Sequence, residues 1–159
     1  MKTIFRLMAL LMLVLPMGAC SDDDEEIGVL NLEVNNANLH GAWQLVRINE
    51  SAPAEGSYVY IKFERRDQTF VIYDNMNSMY TVRTSGTYTL ETDAYGKTTL
   101  SGRYDNQLDD NRWNNSYFVT ELSADGFMTW QVTDDATETT RYQKINAIPQ
   151  EVIDEARPE

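Results

Sequence analysis

The sequence predicts an all-β protein: an eight-stranded antiparallel up-and-down barrel followed by a short C-terminal tail or helix. Three observations predict it. Runs rich in β-branched and aromatic residues recur at hairpin spacing. The links between them are mostly too short for crossover units, so sequential neighbours pair antiparallel. Within each run apolar residues alternate, which gives each strand one apolar face. Eight such strands can close on themselves and so remove exposed edges, with a two-sheet sandwich as the competing arrangement. The chain of 159 residues is 42% hydrophobic and 11% aromatic, enough for the core of one domain. Its 13 basic residues face 25 acidic ones, a net charge of −12, and loss of Lys2 and Arg6 with a leader would leave it more acidic still. A phosphate backbone needs a basic face, so nucleic acid is not an expected partner.

Taken in order, the expected strands cover residues 43–49, 57–64, 68–74, 79–92, 97–105, 116–123, 127–133 and 137–145. The second places Val59, Ile61 and Phe63 on one face, the third Phe70 and Ile72, and the seventh Met128, Trp130 and Val132. The fourth is long because Tyr80, Val82, Tyr88 and Leu90 keep one parity, with Gly86 on that parity as a bend. The opposite face is expected to be wet throughout. Beyond residue 145, Pro149 suits the first position of a short helix that sets Ile148, Val152 and Ile153 on one side, against the barrel wall.

The N-terminus carries the sharpest signal. Lys2 and Arg6 precede an apolar run over 7–15, too short for a bilayer that needs about 20 residues. Pro16, Met17, Gly18 and Ala19 then lead to Cys20, the only cysteine. This resembles a bacterial lipobox, which implies a lipid on Cys20 and membrane attachment through it; an ordinary secretory leader cut after Ala19 is the other reading. Ser21 precedes Asp22, Asp23, Asp24, Glu25 and Glu26, a self-repelling stretch that reads as a solvated tether. The run also resembles the acidic export signal of surface lipoproteins in Bacteroidetes. The expected organisation is a signal peptide over 1–19, an acidic tether over 20–38 and a barrel domain over 39–159, anchored in the outer membrane and facing the exterior.

At Leu39, His40, Gly41, Ala42 and Trp43 the chain resembles the Gly-x-Trp that opens the first strand of lipocalins and lipocalin-like proteins. The resemblance implies that Gly41 turns the chain across the closed end, that Trp43 plugs that end, and that a basic side chain of the last strand, matched by position to Arg141, packs on the indole. Leu100 to Asp105, Trp113, Ser116, Tyr117, Tyr142 to Lys144 and Ile148 to Ile153 fit the same group. With the leader, the whole is similar to lipocalin-like lipoproteins of unknown function found in Bacteroidetes.

A search for catalytic chemistry finds little. His40 is the sole histidine and lacks partners for a triad or a zinc site. No phosphate-cradling glycine loop occurs. The link 106–115 alternates oxygen-bearing residues as a calcium loop does, but has neither the glycine at its sixth place nor the acid at its twelfth. The expectation is a monomer without enzymatic activity, cofactor or metal. Trp113, set among amides and carboxylates, suits either stacking on a sugar ring or a lid on the core. With Tyr117 and Tyr104 it forms the candidate ligand site. Two function classes stay open: a surface-anchored module binding a small apolar or glycan ligand, or a structural or protein-interaction barrel with a filled interior.

Overall fold

The computed structural model describes residues 30–105 and 111–158. The leader, Cys20 and the run Ser21 to Glu26 lie outside the described residues. Eight antiparallel strands form the barrel: β1 (Gly41–Ile48), β2 (Val59–Glu64), β3 (Thr69–Asp74), β4 (Val82–Thr92), β5 (Thr98–Tyr104), β6 (Tyr117–Leu122), β7 (Phe127–Val132) and β8 (Thr139–Ile145). They run β3-β2-β1-β8-β7-β6-β5-β4, and the pairing of β3 with β4 closes the ring. Two short helices, α1 (Asn36–Leu39) and α2 (Gln150–Glu155), and a two-residue strand, β9 (Arg157–Pro158), complete the described residues.

Period-two alternation builds the interior. Trp43, Leu45, Ile61, Phe63, Phe70, Tyr88, Leu100, Met128, Trp130 and Tyr142 all point inward and form one buried cluster. Bulges after Leu45 in β1 and after Val119 in β6 shift register, and so return Ile48 and Leu122 to the inner face. Gly86 stands where β4 passes from β3 to β5, paired with both Phe70 and Tyr104. A Cβ there would meet the Arg103 carbonyl oxygen at 1.9 Å, so only glycine allows the two strands to approach this closely.

The structure corrects four expectations. Residues 30–38 are not tether: the Leu32 amide donates to the Leu122 carbonyl at 2.6 Å, and Leu32 and Val34 pack on the core. Asn35 then caps α1, its side-chain oxygen accepting from the amides of Ala37 and Asn38 at 3.0 Å. The fourth strand begins at Val82 and not at 79, leaving Met79 and Tyr80 exposed in the turn before it. Thr81 instead buries its hydroxyl against that of Tyr58. The outer face is not wet throughout, because Ile148 and Val152 cover Ala42, Tyr60 and Tyr73 on the outside of β1–β3. Pro149 precedes α2 as its cap residue and not its first helical residue, and Ile153 is 38% exposed while Ile148 and Val152 are buried.

Candidate functional site

The described part of the link between β5 and β6 packs over a glycine. β5 pairs with β6 only through Thr99↔Phe118 and Leu100↔Tyr117. Beyond Leu100 its free edge is taken by the segment 111–113: the Tyr104 amide donates to the Asn111 carbonyl at 2.6 Å and the Trp113 amide to the Gly102 carbonyl at 2.9 Å. Gly102 has no side chain to fill the space beneath, and a Cβ there would lie 2.3 Å from the Trp113 ring. The indole therefore packs inward over Gly102, with ring centroids 5.0 Å from Phe70 and 6.0 Å from both Tyr117 and Trp130. Trp130 continues the stack to Tyr142 at 4.6 Å. Aromatic rings thus fill the barrel's interior.

Two spaces adjoin this packing among the described residues. At the open end a cavity of about 260 Å³ lies between Ile48, Tyr117, Val132, Thr139 and Thr140. Outside the barrel, a groove of about 780 Å³ runs along the outer faces of β4 and β5, beneath the segment 112–116. Thr87, Thr89 and Glu91 line one wall, Ser101 and Arg103 the floor, and Arg112 and Asn114 the other wall. The Thr89 and Ser101 hydroxyls bond each other at 2.8 Å, and Arg103 reaches the Asn111 side-chain oxygen at 3.3 Å. Trp113 borders this groove.

Of the three aromatic residues expected at the site, Trp113 forms the boundary between groove and core. Tyr117 lines the open-end cavity, where burial raises its pKa against a lowering hydrogen bond from Asn115. Tyr104 lies apart from both spaces, half-buried against Phe70 at 6.0 Å. The groove's hydroxyls and guanidinium groups were not singled out from sequence. Their signal was the outward parity of β4, which reads Thr87, Thr89, Glu91 and so looks like any solvated face until a second wall stands opposite.

The closed end holds the Gly-x-Trp. Gly41 takes φ +122°, a conformation that L side chains rarely adopt, and Trp43 is 1% exposed with its Nε1 donating to the Leu39 carbonyl at 2.9 Å. The basic side chain over the indole is Lys144, 5.0 Å from the ring, and not Arg141. Strand parity explains the correction. Lys144 pairs with Trp43 and shares the inward parity of Tyr142, whereas Arg141 points outward, over the Phe127 ring at 4.3 Å and onto Glu121 at 3.0 Å. His40 caps the same end, its Nδ1 2.9 Å from the Phe63 carbonyl oxygen. Among the described residues no group of three or more His, Cys, Asp or Glu side chains could hold a metal, and no helix is long and apolar enough to cross a membrane.

A closed eight-stranded up-and-down barrel, plugged by an indole at one end and open at the other, is an architecture whose interior is either filled by side chains or holds one small ligand. Residues 39–130 match the family model of the lipocalin-like domain, more than half of the chain, and the protein belongs to that family. No curated protein and no solved structure matches the chain.

Proposed function

We propose that this protein is a lipid-anchored, surface-exposed binding module that takes a small polar ligand of the glycan type in the groove outside β4 and β5. One observation carries the reading: the interior is filled with aromatic rings, while a space of about 780 Å³ outside it is lined by hydroxyl, amide, carboxylate and guanidinium groups beside an indole. Pockets that engulf small molecules typically measure about 300–1,000 Å³. The groove falls in that range, and the open-end cavity of about 260 Å³ falls below it, which disfavours an apolar ligand inside the barrel.

Ser101 tests the seat because it points outward, away from the core. Ser101→Trp should fill the groove, leave the melting temperature nearly unchanged and abolish glycan binding found by array screening. Retained binding would move the seat elsewhere. The anchor is tested separately: Cys20→Ala should release the protein from the membrane fraction, and replacement of Asp22 to Glu26 by Ser should keep the lipid while removing the protein from external protease. A Cys20→Ala protein that still incorporates labelled fatty acid would refute the anchor.

The filled interior also favours the second reading, a scaffold whose outer face meets another surface component. In that case Ser101→Trp would disturb a protein complex, and the array would stay blank.

A further inference from the structure

The chain enters the barrel at its closed end. Because the strands run up and down, the β2–β3, β4–β5 and β6–β7 links lie at that end with Gly41, and the other links between strands lie at the open end. Asn31 bridges Ser123 beside the β6–β7 turn, and the Ala124 amide donates to the Leu30 carbonyl at 2.9 Å, which fixes Leu30 there with 69% of its surface exposed. Cys20 precedes Leu30 by ten residues. A chain extends at most about 3.6 Å per residue, so Cys20 stays within about 36 Å of this point.

The barrel wall separates that point from the open end. The eight residues of β1 rise about 26 Å, or about 20 Å along the axis of a barrel whose strands tilt by about 40°. With the open end against a bilayer, more than half of the reach from Cys20 would go to crossing the wall. With the closed end against it, almost none is needed.

Charge makes the same choice. Among the described residues, the closed-end links and the segment 30–40 carry Arg65, Arg66 and Lys97 against Glu33, Asp67, Asp93 and Asp125, which is close to neutral. The open-end links carry Glu50, Glu55, Asp105, Asp134, Asp135 and Glu138 against Arg112. An anionic lipid surface repels acids brought within a screening length of it, about 8 Å at physiological ionic strength. The open end is driven off and the closed end is not.

We infer that the closed end is the face this protein sets against a membrane, and that the partner it fits is an anionic lipid surface. The inference rests on Cys20 carrying the lipid. It also gives the groove a direction, because the segment 112–116 that walls it belongs to the open end and so faces away from the bilayer.

The test uses the full lipidated chain on vesicles of phosphatidylethanolamine and phosphatidylglycerol that carry a nitroxide on the headgroup. Tyr95→Cys in the β4–β5 turn and Met79→Cys in the β3–β4 link each supply one thiol for a fluorophore, since Cys20 is the only native cysteine and is acylated in the anchored protein. Both side chains are fully exposed, at 97% and 102%, so labels there leave the fold intact. The nitroxide should quench most of the fluorescence at 95 and little of that at 79. Equal quenching, or stronger quenching at 79, in protein that sediments with the vesicles overturns the orientation and leaves the anchor standing. Adding Cys20→Ala to either labelled protein should keep it in the supernatant. Sedimentation that survives this change, or a parent that does not sediment, overturns the anchor and the orientation with it.

Discussion

Gly102 and Trp113 occupy each other's space, and this reciprocity sets what single residues do here. Trp113→Ala should cost about 3–5 kcal/mol, because the ring it removes is packed among Phe70, Tyr117 and Trp130. Gly102→Ala should cost about 1–3 kcal/mol by forcing that ring aside. The double variant should lose less than the two single losses added, since the new methyl enters space the indole has left, and chemical denaturation of all four proteins measures the coupling. At the closed end, Trp43→Ala should likewise cost about 3–5 kcal/mol. Lys144→Ala should shift the Trp43 indole proton resonance while Arg141→Ala leaves it in place, because only Lys144 lies over that ring. The Gly-x-Trp was legible as a motif in the sequence. Its cationic partner was not, because choosing between Arg141 and Lys144 needs the register of β8 against β1.

Among the elements, the seam between β5 and β6 is the weakest junction in the barrel. Its ladder ends after Leu100, whereas β1 and β8 stay paired from Ala42 to Ile48 across a bulge. Amide exchange should therefore be faster at Tyr117 and Phe118 than at Trp43 and Gln44, and uniform protection around the ring would contradict this. The C-terminal segment plays the opposite part. Its Ile148 and Val152 cover Tyr60 and Tyr73, and β9 adds a parallel pair to β4 at Val82 and Arg83. That pairing lies on the side of β4 where β5 has already ended, so a short stretch of exposed edge is covered. Val152→Ala should cost about 1–2 kcal/mol and make Tyr60 and Tyr73 more accessible to modification. The eight strands were legible because alternation and turn residues are local signals. The packing of residues 30–38 and the covering of the outer face were not, because each depends on which strand of a closed ring lies beneath.

For the molecule as a whole, the filled barrel sets a pH limit. Burial raises the pKa of Tyr60, Tyr88, Tyr117 and Tyr142, with a neighbouring tyrosine or acid adding to it in each. Each folded-state pKa lies above its unfolded value near 10, so the folded protein keeps protons that the unfolded chain releases. Stability is then full below about pH 10 and falls as pH rises beyond it, by up to about 1.4 kcal/mol per pH unit for each fully buried tyrosine. Tyr117, only half-buried, contributes less. Alkaline unfolding curves of the parent and of Tyr142→Phe check this, and the variant should lose stability less steeply above pH 10. Parallel curves would show that Tyr142 is not held neutral by the core.

Local patterns in the chain determined its eight antiparallel strands and the indole that opens the first, because strand alternation, turn chemistry and the Gly-x-Trp all act over a few residues. Tertiary structure alone decided that the interior is filled, that Trp113 belongs to the core as well as to the groove, and that Arg103 and Arg112 stand face to face. Those outcomes follow from ring closure and from the way the segment 111–113 takes the edge β6 leaves open. Pairing between residues nine apart in the chain, across a link with no regular turn signature, is invisible to any short-range periodicity.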